Sequence, residues 1–142
     1  MFTNPEFSSE VFRAGAIDFL IAFVIAGVFV VAFKLIYQLV TPYHEGRLIK
    51  EGNTAATIGL WGAVLGYVLP LASALSNTVS LIEFVAWASL AAVIQIVTFL
   101  IVRQVALPNV KARIEAGDLS AAIYLAGVSL AVGLLNAACI TD

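Results

Sequence analysis

The side chains best placed to do chemistry are four acidic or amide residues within, or at the edge of, the long apolar stretches of this sequence. They are Asp18, Glu83, Gln95 and Asn136. A charged side chain within hydrocarbon costs roughly 3 kcal/mol on insertion scales, so such a group invites a functional interpretation. Asp18, Glu83 and Asn136 fall near one end of their apolar stretches, whereas Gln95 lies about 18 Å deeper at 1.5 Å per residue. Together they predict an outward-facing polar vestibule for a cation or a small polar ligand.

Each of these residues also has an ordinary structural interpretation. Asp18 and Glu83 suit the positive dipole end of a helix N-terminus. Gln95 suits hydrogen bonding between helices in lipid. His44 stands alone in a polar segment and Cys139 is the single cysteine, and no nucleophile–base pair, phosphate loop or metal-ligand spacing appears in the sequence. We therefore expect no enzymatic activity, no cofactor and no metal site.

The composition of the sequence indicates the environment of these residues. Of 142 residues, 62% are hydrophobic and 11% are charged, against roughly 45–50% and about 25% in soluble domains. Four apolar stretches are each near the ~20 residues that a helix needs to cross ~30 Å of hydrocarbon. They are approximately Ala14–Ile36, Thr54–Leu75, Phe84–Val102 and Leu119–Ile140. The sequence predicts an all-α integral membrane protein, with four transmembrane helices in one domain over residues 1–142.

The distribution of positive charge predicts the orientation in the bilayer. Lysine and arginine cluster in the connection between the first two spans and in that between the last two, while the middle turn Ser76–Glu83 has neither. The positive-inside rule then puts both longer connections in the cytoplasm and both termini in the periplasm. The net charge of −2 and the absence of a basic patch in the sequence speak against a nucleic-acid partner.

The chain repeats itself at an offset of 65 residues. "GNTAATIGLWG" begins at Gly52 and "GDLSAAIYLAG" begins at Gly117. At the same offset Asp18 falls on Glu83. We expect two duplicated helical hairpins, one over about residues 14–75 and the other over about 80–140. Since each hairpin has two helices, both insert the same way up, and a pseudo-two-fold axis along the membrane normal should relate them.

The repeated phrase also predicts local structure. Asn53 and Asp118 each precede an apolar helix, where a side-chain oxygen can accept from free backbone N–H groups as a helix N-cap. The preceding Gly52 and Gly117 can end a short interfacial helix in the left-handed conformation.

Small residues predict where the helices pack. Gly59, Gly62, Gly66 and Pro70 share one face of the second span, and Gly127 is the predicted counterpart in the fourth. The spacing Gly62-x-x-x-Gly66 lets two backbones approach closely in lipid. Pro70 has no N–H, so the carbonyl of Gly66 loses its helical partner. That carbonyl either belongs to ordinary helix packing or opens onto a cavity.

Three further features of the sequence are the segment "EGNTAATIGLWGAVLGYVLPLASAL", Trp87 together with Gln95, and the segment "GLLNAACITD". In these features the sequence resembles a family of bacterial inner-membrane proteins called domain of unknown function 350. The resemblance implies a small four-helix protein of the bacterial inner membrane with a duplicated two-helix unit. It implies no activity.

Two functions of different class follow from these observations. The first is a non-enzymatic structural or accessory membrane subunit, which assembles with itself or with another envelope protein in the lipid bilayer. The second is a channel- or transporter-like conduit for a cation or small polar solute. The surroundings of Gln95 and Asp18 distinguish the two, because a conduit needs these side chains in water and a packing role needs them against helices.

Overall fold

The computed structural model describes residues 8–140, which form six helices. These are α1 (Ser9–Val40), α2 (Glu45–Lys50), α3 (Thr54–Asn77), α4 (Leu81–Val105), α5 (Val110–Glu115) and α6 (Leu119–Cys139). By length and composition α1, α3, α4 and α6 can each cross a membrane. The prediction of an all-helical protein with four such helices is confirmed. The two short helices α2 and α5 lie in the longer connections.

The first helix is longer at both ends than the apolar stretch predicts. It starts at Ser9 because the Ser8 hydroxyl accepts from the N–H of Val11 at 3.1 Å. It ends at Val40 because Thr41 precedes a proline, which favours the extended conformation that Thr41 adopts (φ −67°, ψ 140°). Its 32 residues make a helix about 48 Å long. Since hydrocarbon is ~30 Å thick, α1 either tilts or projects beyond it.

The turns before α3 and α6 share one design. Gly52 and Gly117 have φ of +83° and +79°, the left-handed region that only glycine adopts without strain. Asn53 then caps α3 by accepting from the N–H three residues later at 3.0 Å, and Asp118 caps α6 in the same way at 3.3 Å. The Asn53 amide also donates to the carbonyl of Ile114 at 2.8 Å. This bond joins α5 to the start of α3, so both long connections lie at one end of the bundle.

The helix α3 is the centre of the bundle. It contacts α1, α4 and α6, and its pairing with α6 is the most extensive of all. Half of its 24 residues are buried, whereas α1 buries only Phe33 and Tyr37. The ring of Phe33 stacks on that of Tyr67 in α3, with centroids 4.4 Å apart. Most of the other apolar side chains of α1 are exposed, as on a lipid-facing helix, while Ile25, Phe29 and Val30 pack partly against the core.

The seam between α3 and α6 brings two backbones into direct contact. A Cβ added at Gly62 would collide with Ala126, and one added at Gly66 would collide with the carbonyl of Ser129. On the other side, a Cβ added at Gly133 would collide with the carbonyl of Gly66. Small residues on both helices are therefore a steric requirement of this seam.

The fourth span uses a different glycine in this seam from the one that the sequence predicts. A Cβ added at Gly127 would meet no other atom within 4 Å, and Gly127 is exposed. The reason is angular, because successive helix residues are about 100° apart, so the residue after Ala126 points away from α3. Gly133, and not Gly127, is therefore the glycine of α6 that contacts α3. Gly59, which the sequence also assigns to the packing face, lies beneath the Tyr43 hydroxyl, 3.9 Å from an added Cβ.

Pro70 also contributes to this seam, because it has no N–H group to donate to the carbonyl of Gly66. The helix α3 continues through Pro70, but the carbonyl of Gly66 has no N–H partner one turn later. That carbonyl lies against the α-carbon of Gly133, an arrangement typical of Cα–H···O contacts between closely packed helices. The freed carbonyl is thus packed between helices and does not open onto a cavity.

Alanine substitutions test the seam with the smallest possible change. We expect Gly66→Ala and Gly133→Ala each to lower the free energy of unfolding by about 1–3 kcal/mol, because one added methyl forces two backbones apart. Gly127→Ala is the matched control and should change stability little, because its position is open. Reversible unfolding in detergent measures all three. Equal stability of the three variants would contradict the assignment of the seam.

Candidate functional site

Gln95 lies where three transmembrane helices meet. It projects from α4, is 4% exposed, and its Nε2 donates to the carbonyl of Ser129 in α6 at 3.1 Å. The same nitrogen would be 2.9 Å from a Cβ added at Gly66 of α3. Only a glycine at this position leaves room for the amide. The Gln95 Oε1 is buried and has no hydrogen-bond partner among the described residues.

Two further side chains join helices through backbone carbonyls. The buried Asn136 of α6 donates from Nδ2 to the carbonyl of Ala91 in α4 at 3.3 Å. The Tyr67 hydroxyl of α3 donates to the carbonyl of Ala88, also in α4, at 3.0 Å. Each carbonyl has a second lone pair that its own helix does not use. Gln95, Asn136 and Tyr67 therefore connect α4 to its neighbours without disturbing any helix.

The two acidic residues of the predicted vestibule lie elsewhere and are both exposed. Asp18 lines an open cleft of about 280 Å³ with residues of the α3–α4 turn, including Thr78 and Ser80. It is the tenth residue of α1, so it is not at a helix N-terminus. Glu83 is the third residue of α4, and its N–H donates to the Ser80 hydroxyl at 3.1 Å. Ser80 and Glu83 have the spacing of a capping box.

The structure thus separates the four predicted vestibule residues into two groups. Gln95 and Asn136 are packed between α4 and α6, and Asp18 and Glu83 lie on the outside of the chain. Of the four, only Asp18 lines the cleft described above.

A buried carboxylate at the opposite end of the bundle is a site that the sequence analysis missed. Glu45 begins α2 and is 2% exposed, and the neighbouring side chains of Tyr37 and Tyr43 are equally buried. Neither oxygen of the Glu45 carboxylate, nor the Tyr43 hydroxyl, has a partner with hydrogen-bond geometry among residues 8–140. Glu45 lines an open cavity of about 880 Å³, whose wall also includes Arg47 and Lys111.

The titration of Glu45 reflects this burial. Loss of hydration raises the pKa of the Glu45 carboxyl to about 8, and the Tyr43 hydroxyl and the Lys34 ammonium oppose this effect only in part. Burial and the charge of Glu45 raise the pKa of Tyr43 in turn. Tyr43 is therefore close enough to interact electrostatically with Glu45 although the two do not form a geometrically sound hydrogen bond. Burial thus favours the protonated form of the Glu45 carboxyl.

Glu45 gives little signal in the sequence. It lies between His44 and Gly46 in a charged segment that reads as a solvated connection. Its burial depends on α2 folding back against α3, which is a tertiary contact. The aromatic residues Tyr37 and Tyr43 were the available sign that this connection packs, since aromatic side chains bury large areas.

The raised pKa predicts how stability depends on pH. The folded protein holds the Glu45 proton more tightly than the unfolded chain, whose carboxyl has an ordinary pKa near 4.5. The contribution of Glu45 to stability is therefore fully present below about pH 4.5 and is lost as the pH rises through about 8. Relative to Glu45→Gln, the wild-type protein should lose stability between pH 5 and pH 9.

Thermal unfolding of purified protein in detergent at several pH values measures this difference. Glu51→Gln is the control, since the Glu51 side chain is exposed and pairs only loosely with Arg47 at 3.9 Å. It should keep the wild-type pH dependence. Parallel pH profiles for the wild type and Glu45→Gln would contradict the prediction, because they would show that the pKa of Glu45 is the same in the folded and the unfolded protein.

Comparison with known proteins finds relatives that are described as inner membrane proteins. The chain is 40% identical over 119 residues to the UPF0719 inner membrane protein YjfL of Escherichia coli strain K12, and equally to that of strain O157:H7. The alignment covers 84% of this chain and 89% of each relative. No solved structure matches the chain. The sequence model described as Domain of Unknown Function (DUF350) matches residues 11–140, which confirms the resemblance, and the chain belongs to that family.

Proposed function

We propose that this protein is a multi-pass inner-membrane subunit with a structural or accessory role and no enzymatic activity. The observation that carries the proposal is the environment of Gln95. Its amide donates to the backbone of α6 and contacts the α3–α6 seam, so this intramembrane polar group is used to join helices. Asn136 and Tyr67 make bonds of the same kind. The location is supported by the relatives described as inner membrane proteins.

The proposed subunit arises from a duplicated hairpin, with a pseudo-two-fold axis along the membrane normal. Helix boundaries support this at the offset of 65 residues. The helix α2 covers 45–50 and α5 covers 110–115, while α3 and α6 start at 54 and 119. The loops 41–44 and 106–109 are equally long. The halves differ in their polar bonds, because Gln95 and Asn136 correspond to Val30 and Leu71.

Both termini of the proposed subunit lie in the periplasm. This orientation is supported by the charge of the connections, because positively charged connections stay in the cytoplasm and α2 and α5 carry Arg47, Lys50, Lys111 and Arg113. The hydrogen bond between Asn53 and Ile114 holds the two connections at the same end of the bundle. Reporter fusions after Ser76 and at the C-terminus should therefore both give periplasmic signals. A cytoplasmic signal from the C-terminal fusion would overturn this orientation.

The proposed subunit acts as an oligomer, with itself or with another envelope protein. The support is the sparse packing of α1, a helix of 32 residues with two buried side chains. The described residues form four helices long and apolar enough to span a membrane, which are too few to enclose a wide pore, so a conduit built from this chain would also need an oligomer. The second candidate function, a conduit for a cation or polar solute, is favoured by one atom. The Gln95 Oε1 has no hydrogen-bond partner among the described residues, so it is free to accept a hydrogen bond from a solute that reaches it.

Flux measurements and native mass together distinguish the two functions. For the structural subunit we expect one discrete oligomer in native-like detergent and no cation flux above that of empty liposomes. Gln95→Met should lower the free energy of unfolding by about 1 kcal/mol or less, because interhelical hydrogen bonds in membranes average that much. Thr98→Val is the control, since Thr98 bonds only within α4. Cation flux that the wild type shows and Gln95→Met loses would establish the conduit instead.

A further inference from the structure

The open cavity of about 880 Å³ beside α2 joins an apolar wall to a basic one. Leu35 and Leu39 of α1 form the apolar wall, and they share one face of the helix because they are four residues apart. Both are exposed, Leu39 to 85%. Arg47 of α2 and Lys111 of α5 belong to the same lining and are also exposed. A molecule that fills this cavity must therefore be apolar in one part and anionic or polar in another.

The cavity lies at the level where hydrocarbon gives way to water. Leu39 is three residues beyond Ile36, which ends the first apolar stretch, and three residues of helix span about 4.5 Å. The helix α1 ends at Val40, and the hydrogen bond from Asn53 to Ile114 holds the two longer connections at one end of the bundle. The exposed leucines thus face acyl chains, while the long basic side chains reach the depth of the lipid headgroups.

The balance of charge around the cavity favours an anion. Arg47 and Lys111 line it together with Glu45 and Glu115, and Lys34 is close enough to Glu45 to act on its charge. Three basic groups against two acidic ones leave one positive charge even when both carboxyls are ionised. The phosphodiester of a phospholipid carries one negative charge, so the two match.

The two basic side chains of the lining have donors available for such a phosphate. The Nε of Arg47 is 3.9 Å from a Glu51 oxygen, which is too long for a hydrogen bond. Lys111 forms no ion pair within 4.0 Å among residues 8–140. The planar guanidinium can bind two phosphate oxygens at once, and the ammonium binds as a point charge. His44 is an exposed part of the same lining and adds positive charge whenever it is protonated.

We propose that this cavity binds one anionic phospholipid of the surrounding bilayer, with the phosphate between Arg47 and Lys111 and the acyl chains along Leu35 and Leu39. The volume of the cavity is typical of ligand pockets, and basic pockets beside transmembrane helices are where anionic headgroups bind. A zwitterionic lipid fits less well, because its own cationic group would meet the same basic side chains. The bound lipid joins α1 to α2 and α5, which contact α1 only sparsely within the described chain.

Native mass spectrometry of the full-length protein in detergent tests the proposal. The probes are phosphatidylglycerol and phosphatidylcholine with identical acyl chains, and we expect the wild type to bind phosphatidylglycerol several-fold more tightly. Arg47→Gln and Lys111→Gln should each weaken this binding about fivefold, as expected for one basic side chain near an anionic lipid. Lys50→Gln is the matched control, because it removes an exposed charge from the same short helix as Arg47 but Lys50 does not line the cavity. It should leave the affinity unchanged.

A variant that gains affinity excludes misfolding as the cause. Glu115→Gln removes an exposed carboxylate from the cavity, so it should strengthen phosphatidylglycerol binding several-fold. Glu83→Gln removes an exposed carboxylate at the start of α4, away from this cavity, and should have no effect. Unchanged or weaker binding by Glu115→Gln would contradict the charge argument.

Three other results would overturn the proposal. Equal affinity for the two lipids, or an equal loss in Lys50→Gln and Arg47→Gln, would show that the cavity does not select an anionic headgroup. Displacement of phosphatidylglycerol by an equal concentration of water-soluble glycerol phosphate would show that the cavity takes a soluble phosphate compound. Loss of the bound lipid whenever an oligomer forms would show that a second copy of the chain covers the cavity. The packing function does not depend on these results, because a structural subunit and a conduit can both carry such a site.

Discussion

The whole bundle depends on how closely the backbones of α3 and α6 approach each other. In lipid there is no hydrophobic gain from bringing two apolar helices together, so close packing and polar bonds must supply the association. Gly62, Gly66 and Gly133 allow the contact because none of them carries a Cβ. Pro70 completes it by leaving the carbonyl of Gly66 free to face α6. The remaining elements are arranged around this pair, with α4 and α1 packed against α3.

The polar residues within the membrane follow from the same contact. Once the backbones touch at Gly66, a small space remains beside the seam, and the Gln95 amide fills it and donates to Ser129. Asn136 and Tyr67 fix the position of α4 against α6 and α3 in the same manner. Because each donor uses a backbone carbonyl, these bonds tolerate changes of the partner side chain. In this protein the intramembrane polar groups hold neighbouring helices together, and this is why we propose a structural role for the chain.

Local signals in the sequence predicted local structure, and tertiary contacts decided the rest. The caps at Asn53 and Asp118 were predictable because one residue type and its neighbouring glycine specify the turn. Spacing alone could not show that Gly133 rather than Gly127 faces α3, because small residues occur on several faces of α6. Only the contact with the partner helix selects one of these faces. The burial of Glu45 was hidden for a similar reason, because a six-residue helix in a charged segment gives no sign of the surface it packs on.

A double-mutant cycle between Gly66 and Gly133 tests the central claim most directly. The free energy of unfolding is measured in detergent for the wild type, Gly66→Ala, Gly133→Ala and the double variant. If the two backbones are in contact, the first methyl already separates the helices, so the loss in the double variant should fall short of the sum of the single losses by at least about 0.5 kcal/mol. Losses that add within error would show that Gly66 and Gly133 do not touch, and would contradict the seam on which this account rests.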